Sequence, residues 1–254
     1  MIVHVEAVMG TVFSFHVDPG QCPTGEATTA IASACTRLHE LDSVFSTWRP
    51  ESPMSRFRAG LLRLDEAPRE MTRVMALCEE ARALSKGWFD PWAMPGGFDP
   101  TGLVKGWSVA DALEVLRLAG VKAAMVNGGG DIAVLGSPPE DNPTWRIGIR
   151  HPWRPEALAC VLEVEGAVAT SGCYERGPHL INPKDGRMLF ETASASVVGA
   201  NLAICDALAT ALVVADEEGP ELAHSLDGYE AYLVRSDGTE LATAGISFAT
   251  ERTP

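Results

Sequence analysis

Three things are scarce in this chain. No segment comes near the roughly 20 consecutive apolar residues that a membrane-spanning helix needs, so a transmembrane segment is not expected. Positive charge is short, with 20 Lys and Arg against 34 Asp and Glu and a formal net charge of -14. No basic run interrupts that acidity, and counterion release therefore gives nucleic acid no hold on the protein. The six cysteines (Cys22, Cys35, Cys78, Cys160, Cys173 and Cys205) form neither a C-x-x-C pair nor a close cluster. That spacing speaks against a zinc ribbon or a redox dithiol and for small buried hydrophobes in a reducing compartment. The opening stretch, MIVHVEAVMGTVFSF, lacks the unbroken apolar run of a signal peptide because Glu6 and Gly10 interrupt it. The cytoplasm is the expected location.

What is present is a globular composition: 254 residues, 46% of them hydrophobic, enough for one large domain or two small ones. Residues 2–8 and 11–17 alternate around a Met9-Gly10-Thr11 break and predict two antiparallel strands. The spacing of Ile31, Ala34, Leu38, Leu41 and Phe45 predicts an amphipathic helix over Glu26–Phe45, followed by a Pro-rich loop through Pro50 and Pro53. Further helices are expected over Met71–Ser85, Leu103–Leu118 and Cys205–Ala215. Strands are expected at Lys122–Asn127, Asp131–Leu135, Trp145–Arg150, Ala159–Val164, Ala167–Ser171 and Tyr232–Arg235. Helices and strands mix without a regular βαβ repeat, which favours an α+β fold over a doubly wound one.

Four local patterns bear on chemistry, each with a plainer alternative. Asp206-Ala-Leu-Ala-Thr210, at an expected helix start, puts a carboxylate and a hydroxyl on one helix face, two hard oxygen ligands of the kind magnesium takes. Alternatively Asp206 caps the helix and Thr210 is filler. Asp99-Pro-Thr-Gly-Leu-Val-Lys105-Gly106 opens a helix whose N-terminus and early lysine suit a phosphate; the alternative makes Asp99 and Thr101 caps and Lys105 a solvated charge. Asn127-Gly-Gly-Gly130-Asp131 joins two strands, so it is no dinucleotide turn. Its glycines admit either a ligand or a tight hairpin. Finally, Thr170 to Arg187 sets His179 beside hydroxyls and a basic patch of Arg176, Lys184 and Arg187. His179 is either a general base or structural, and Ser171 reads as a loop residue, since no G-x-S-x-G elbow surrounds it.

Taken in order, these segments resemble the FAD:protein FMN transferases, the ApbE-like flavin transferase family. Met9-Gly10-Thr11 resembles its M-G-T, Phe45-Ser46-Thr47-Trp48 its F-S-x-[YW], and Gly87-Trp88-Phe89-Asp90 its G-x-F-D. Asp99 to Gly106 is similar to its D-x-G-x-x-A-K-G, with Pro100-Thr101 and Val104 departing from the usual residues. Asn127 to Ile132 resembles its glycine turn, Ser171-Gly172 with His179-Leu180-Ile181 its S-G…H-x-I, and Asp206 to Thr210 its D-A-x-[AS]-T. The resemblance implies a T-fold-like α+β chain of largely antiparallel sheets packed with helices, one unit over residues 1–254 or two lobes with the FAD site between them. It implies FAD contacts at Met9, Trp48, Trp88, Phe89, Asp90, Asp99, Lys105, His179, Leu180 and Ile181, and magnesium at Asp206, Thr210 and the Gly102 carbonyl. His179 would deprotonate a Ser or Thr hydroxyl of an acceptor protein, FMN would pass to that oxygen, and AMP would leave. Trp48 and Trp88 offer ring faces for stacking, or else simply pack in the core. A magnesium-dependent FAD pyrophosphatase and a non-catalytic flavin binder are the alternative functions.

Overall fold

A computed structural model describes residues 1–20, 22–138, 144–172, 180–189 and 194–249. Two hairpins come first in the logic of the fold. Strands β1 (Ile2–Val8) and β2 (Thr11–Asp18) pair around Met9 and Gly10, whose φ angles of 54° and 68° give the doubly left-handed turn that suits strand twist. Strands β3 (Ala123–Gly128) and β4 (Asp131–Leu135) do the same around Gly129 and Gly130, at 61° and 98°. Three more strands, β7 (Ala167–Gly172), β8 (Ser194–Gly199) and β9 (Tyr229–Val234), and the short β10 (Glu240–Ala242) complete an eight-stranded sheet. Its order is β1-β2-β3-β4-β7-β8-β9-β10, with every neighbouring pair antiparallel. Strands β5 (Trp145–His151) and β6 (Arg154–Val164) form a separate ribbon.

The sheet has a core on each face, which explains why its central strands lack clean alternation. On one face the ribbon contributes Trp145, Ile147, Ile149, Leu162 and Val164, packed with Ile132, Val134, Val168, Tyr232 and Val234. On the other lie the helices α1 (Thr24–Phe45), α3 (Arg69–Leu84), α4 (Thr101–Leu118) and α5 (Leu202–Ala215), with the short α2 (Pro53–Arg58) and α6 (Gly219–His224) at the margins. Strand β2 shows the logic: Phe13, Phe15 and Val17 alternate and are fully buried in the helical core. Each such side chain contributes about 1.5–3 kcal/mol by leaving water.

Most expected elements are present, and three readings are corrected. The Pro-rich loop after α1 contains α2, because Pro53 begins a helix that Ser52 caps by accepting the Ser55 N–H at 3.0 Å. Helix α5 starts at Leu202 and not at Cys205; Asn201 is its cap, accepting the Ala203 N–H, so Asp206 sits inside the helix and is no cap. Ser171 belongs to β7 and not to a loop. No helix among the described residues is long and apolar enough to cross a membrane.

Candidate active site

The turns at Met9-Gly10 and Gly129-Gly130 and the end of β7 at Gly172 lie at the same end of the sheet, as the antiparallel register requires. There the sheet meets the N-terminal turns of α4 and the middle of α5. Between them opens a cavity of about 400 Å³, lined by both sheet and helices, a size that suits a small organic ligand.

Its floor is set by how closely α4 and α5 approach. A Cβ on Gly106 would lie 2.6 Å from the Leu202 carbonyl oxygen and 2.9 Å from Asp206 Cβ, so only glycine fits. The Gly106 N–H donates to Asp206 Oδ2 at 2.9 Å. In a regular helix that N–H belongs to the carbonyl four residues back, which is Gly102. One turn along α5, Thr210 Oγ1 is 2.9 Å from Ser171 Oγ on β7. A Cβ on Gly102 would stand 3.9 Å from Thr210 Oγ1, which places Gly102, Asp206 and Thr210 around one corner of the cavity.

Charge is concentrated beside this corner. Lys105 Nζ is hydrogen-bonded to Asp131 Oδ2 and lies 3.9 Å from Asp206 Oδ1. Asp131 is fully buried, and its Oδ1 meets no hydrogen-bond partner among the described residues. Asp131 and Asp206 thus set two buried carboxylates beside the Lys105 ammonium among the described residues, and negative charge in a low-dielectric setting favours a cation. The donors on offer, carboxylate, hydroxyl and carbonyl oxygens, are those of a hard divalent ion. The residues present therefore fit magnesium. Lys105 is not the solvated charge of the plainer reading, since its side chain is 18% exposed and paired.

The wall adjoining this corner is aromatic and comes from the segment after α3; a Cβ on Gly102 would stand 3.2 Å from Phe89 Cε2. Lys86 and Gly87, with φ of 52° and 81°, end that helix and turn the chain inward. Buried Ser85 then receives the Phe89 N–H on its hydroxyl at 3.0 Å. Trp88 and Phe89 line the cavity, and Lys184 Nζ lies 3.3 Å from the centre of the Trp88 ring, a cation–π cap. Asp90 and Asp99 form the rim, each held by an arginine: Arg82 Nε to Asp90 Oδ2 at 2.8 Å, and Arg58 Nη1 to Asp99 Oδ2 at 2.8 Å. Asp99 Oδ1 also accepts the Thr101 N–H at 3.1 Å, but Pro100 stands at the N-cap of α4 and no side chain caps that helix, so neither Asp99 nor Thr101 is its cap. Nearby thiols are poor nucleophiles. Burial pushes Cys78 up to about 12, with the Asp99 charge adding, and burial pushes Cys205 higher still, beside Asp206.

The cavity thus gathers Trp88, Phe89, Asp90, Asp99, Gly102, Lys105, Leu180, Ile181, Asp206 and Thr210. Met9 does not line it. Its residue lies in a shallow depression with Thr11, His39 and Arg49, although its turn adjoins Gly129, which does line the cavity. Trp48 also lies outside, 92% exposed and hence no core residue, in a depression that shares Asp99 with the cavity rim. His179 lies outside the described residues, next to Leu180 on the wall. The glycine turn serves both readings, since it is a tight hairpin whose Gly129 also lines the cavity. Asp131 and Ser171 were not among the expected ligand-binding residues. The signal for Asp131 was an acidic residue opening an otherwise apolar strand.

The ApbE family model matches residues 9–97 and 93–233, and the chain belongs to that family. Among curated proteins it is 35% identical over 149 residues to the FAD:protein FMN transferase of Rhodobacter capsulatus, covering 55% of this chain and 28% of that protein. It is 31% identical over 163 residues to the FAD:protein FMN transferase of Vibrio cholerae, covering 60% of this chain and 47% of that one. The matched region thus spans less than half of either relative. In fold it is similar to the ApbE protein of Thermotoga maritima, with a TM-score of 0.83 at 18% identity over 96% of this chain and 97% of that one.

Proposed function

We propose that this protein transfers the FMN half of FAD to a Ser or Thr hydroxyl of an acceptor protein, with magnesium as cofactor and AMP as leaving group. The observation that carries this reading is the convergence of Asp206, Thr210 and Gly102 on one corner of a cavity whose adjoining wall is Trp88 and Phe89. An isoalloxazine or adenine ring stacks against such a wall. Asp206, Thr210 and the Gly102 carbonyl would hold magnesium, which when bound neutralises charge on the pyrophosphate. The Gly106 N–H fixes the Asp206 carboxylate, and Ser171 fixes the Thr210 hydroxyl. Lys105 supplies positive charge at the α4 N-terminal turns, where a phosphate is favoured.

In the transfer, the acceptor oxygen forms a bond to the FMN phosphorus as the pyrophosphate P–O bond to AMP breaks. His179 takes the hydroxyl proton, a role that rests on the resemblance of its segment. We treat the chain as one unit with the cavity between its sheet end and its helical segment. We place it in the cytoplasm, in keeping with Cys22, Cys35, Cys78 and Cys205, which are free thiols.

Mass spectrometry of a candidate acceptor incubated with the protein, FAD and magnesium tests the proposal. An FMN adduct that disappears on chelation is expected. Free FMN and AMP with no adduct would make it a pyrophosphatase, and intact FAD would leave a flavin binder.

A further inference from the structure

Away from the cavity, a second set of chemically active side chains meets where β1 crosses α1. His4 and Glu6 are two apart on β1 and so share the face that turns toward the helix, while Val3 and Val5 point outward. Cys35 and His39 are four apart on α1 and share the face that turns toward the strand. The strand period of two and the helix period near four thus bring two pairs together. His39 Nε2 lies 2.8 Å from Glu6 Oε1, and His4 Nε2 lies 3.4 Å from Glu6 Oε2. The donor atoms of His4, Glu6 and Cys35 all lie within 4.8 Å of one another.

We propose that His4, Glu6, Cys35 and His39 form a binding site for a divalent transition-metal ion, zinc first among them, that clips the edge strand β1 to α1. One sulfur, two imidazole nitrogens and a carboxylate oxygen make a mixed soft and borderline set, which selects zinc or cobalt over magnesium. Bonds of about 2.0–2.3 Å in a tetrahedron put donors about 3.3–3.8 Å apart; the His4, Glu6 and Cys35 donors, all within 4.8 Å of one another, approach that spacing, and His39, 2.8 Å from Glu6 Oε1, takes the fourth position by turning its ring toward them. Such rotations are available. His4 and His39 side chains are 43% and 53% exposed and Glu6 26%, so the site is open on its solvent side and closed beneath by Cys35. The site has a mechanical purpose as well. Among the described residues strand β1 has a sheet neighbour on one side, β2, so a bond to α1 ties down an edge of the sheet.

Cobalt and zinc titration of the full chain, in excess magnesium to occupy oxygen-donor sites, tests the inference. One equivalent of cobalt should bind with a thiolate-to-metal charge-transfer band and the strong d–d bands of a tetrahedral ion. Cys35→Ser should abolish the charge-transfer band. His4→Ala and His39→Ala, at exposed positions where folding is not at risk, should each weaken binding at least about tenfold, as even outer-shell partners of metal sites do. Zinc should raise the Tm of the parent protein but not of His4→Ala. A titration with no stoichiometric binding, a spectrum without the thiolate band, or binding that survives His4→Ala unchanged would each overturn the site and leave a hydrogen-bonded staple.

Discussion

The outer helices α1 and α3 and the inner helix α5 are built on opposite rules. Helix α1 buries a stripe, Ala27, Ile31, Ala34, Leu38, Leu41 and Phe45 among it, and gives its other side to water. Helix α5 buries every residue except Thr210. On an amphipathic helix a polar residue is expected and says little. On a helix apolar all round, Asp206 and Thr210 stand where neither packing nor solvation asks for them. Under the proposed function, α5 carries the chemistry and the outer helices carry the shape.

That division can be broken or sharpened by substitution, beginning with the largest effect. Asp206→Asn keeps the shape and an acceptor for the Gly106 N–H but removes the charge; we expect the rate of FMN adduct formation to fall at least about a hundredfold, beyond what outer-shell losses cause. An unchanged rate would detach α5 from the reaction. Next comes Gly106→Ala, where the new Cβ meets the Leu202 carbonyl at 2.6 Å. Overpacking of this kind costs about 1–3 kcal/mol, and calorimetry should find Tm several degrees lower.

On the outer helices the effects shrink. Arg37 joins α1 to α4 through Asp111 at 2.7 Å and to α3 through Glu70 at 3.1 Å. Arg37→Ala should cost about 1 kcal/mol in denaturant unfolding. Burial acts to raise Glu70, but a backbone hydrogen bond and Arg37 outweigh it and hold the carboxyl below its ordinary 4.5. A group so depressed contributes fully above 4.5 and loses its contribution as pH falls through the lower folded value. The Arg37→Ala deficit should accordingly narrow in acid below that point, and a deficit that widens there would reverse the assignment. Smallest is Thr36→Ala, whose exposed hydroxyl bonds only the Ala32 carbonyl at 3.0 Å. Chemical denaturation should register less than about 0.5 kcal/mol.

The same contrast decides what the sequence could tell. Alternation in β1 and β2 and the three-and-four spacing of α1 and α3 are properties of half-buried elements, and these were legible to within a few residues. Strand β8 was not, because Ser194-Ala195-Ser196 carries little β-forming character although Ser194 and Ser196 are buried. The start of α5 was misplaced because its apolar run offers no periodic edge and the cap, Asn201, was overlooked. Motif order located ten of the cavity's lining residues. It did not predict that Trp48 stands in water or that Met9 lies in the neighbouring depression, since a motif records which residues occur and not which way the chain carries them. The pairing of Lys105 with Asp131 joins positions 26 apart, beyond the reach of any local pattern.

One bond described above has a further meaning. The Asp206 carboxylate accepts a hydrogen bond from a main-chain amide of α4. No replacement at residue 106 other than proline removes that donor. The carboxylate is thus gauged directly against the backbone of the neighbouring helix, and the separation of the two helix axes becomes the ruler that sets its place. Whatever shifts α4 along or away from α5, a ligand settling at its first turn included, moves the carboxylate's anchor by the same amount.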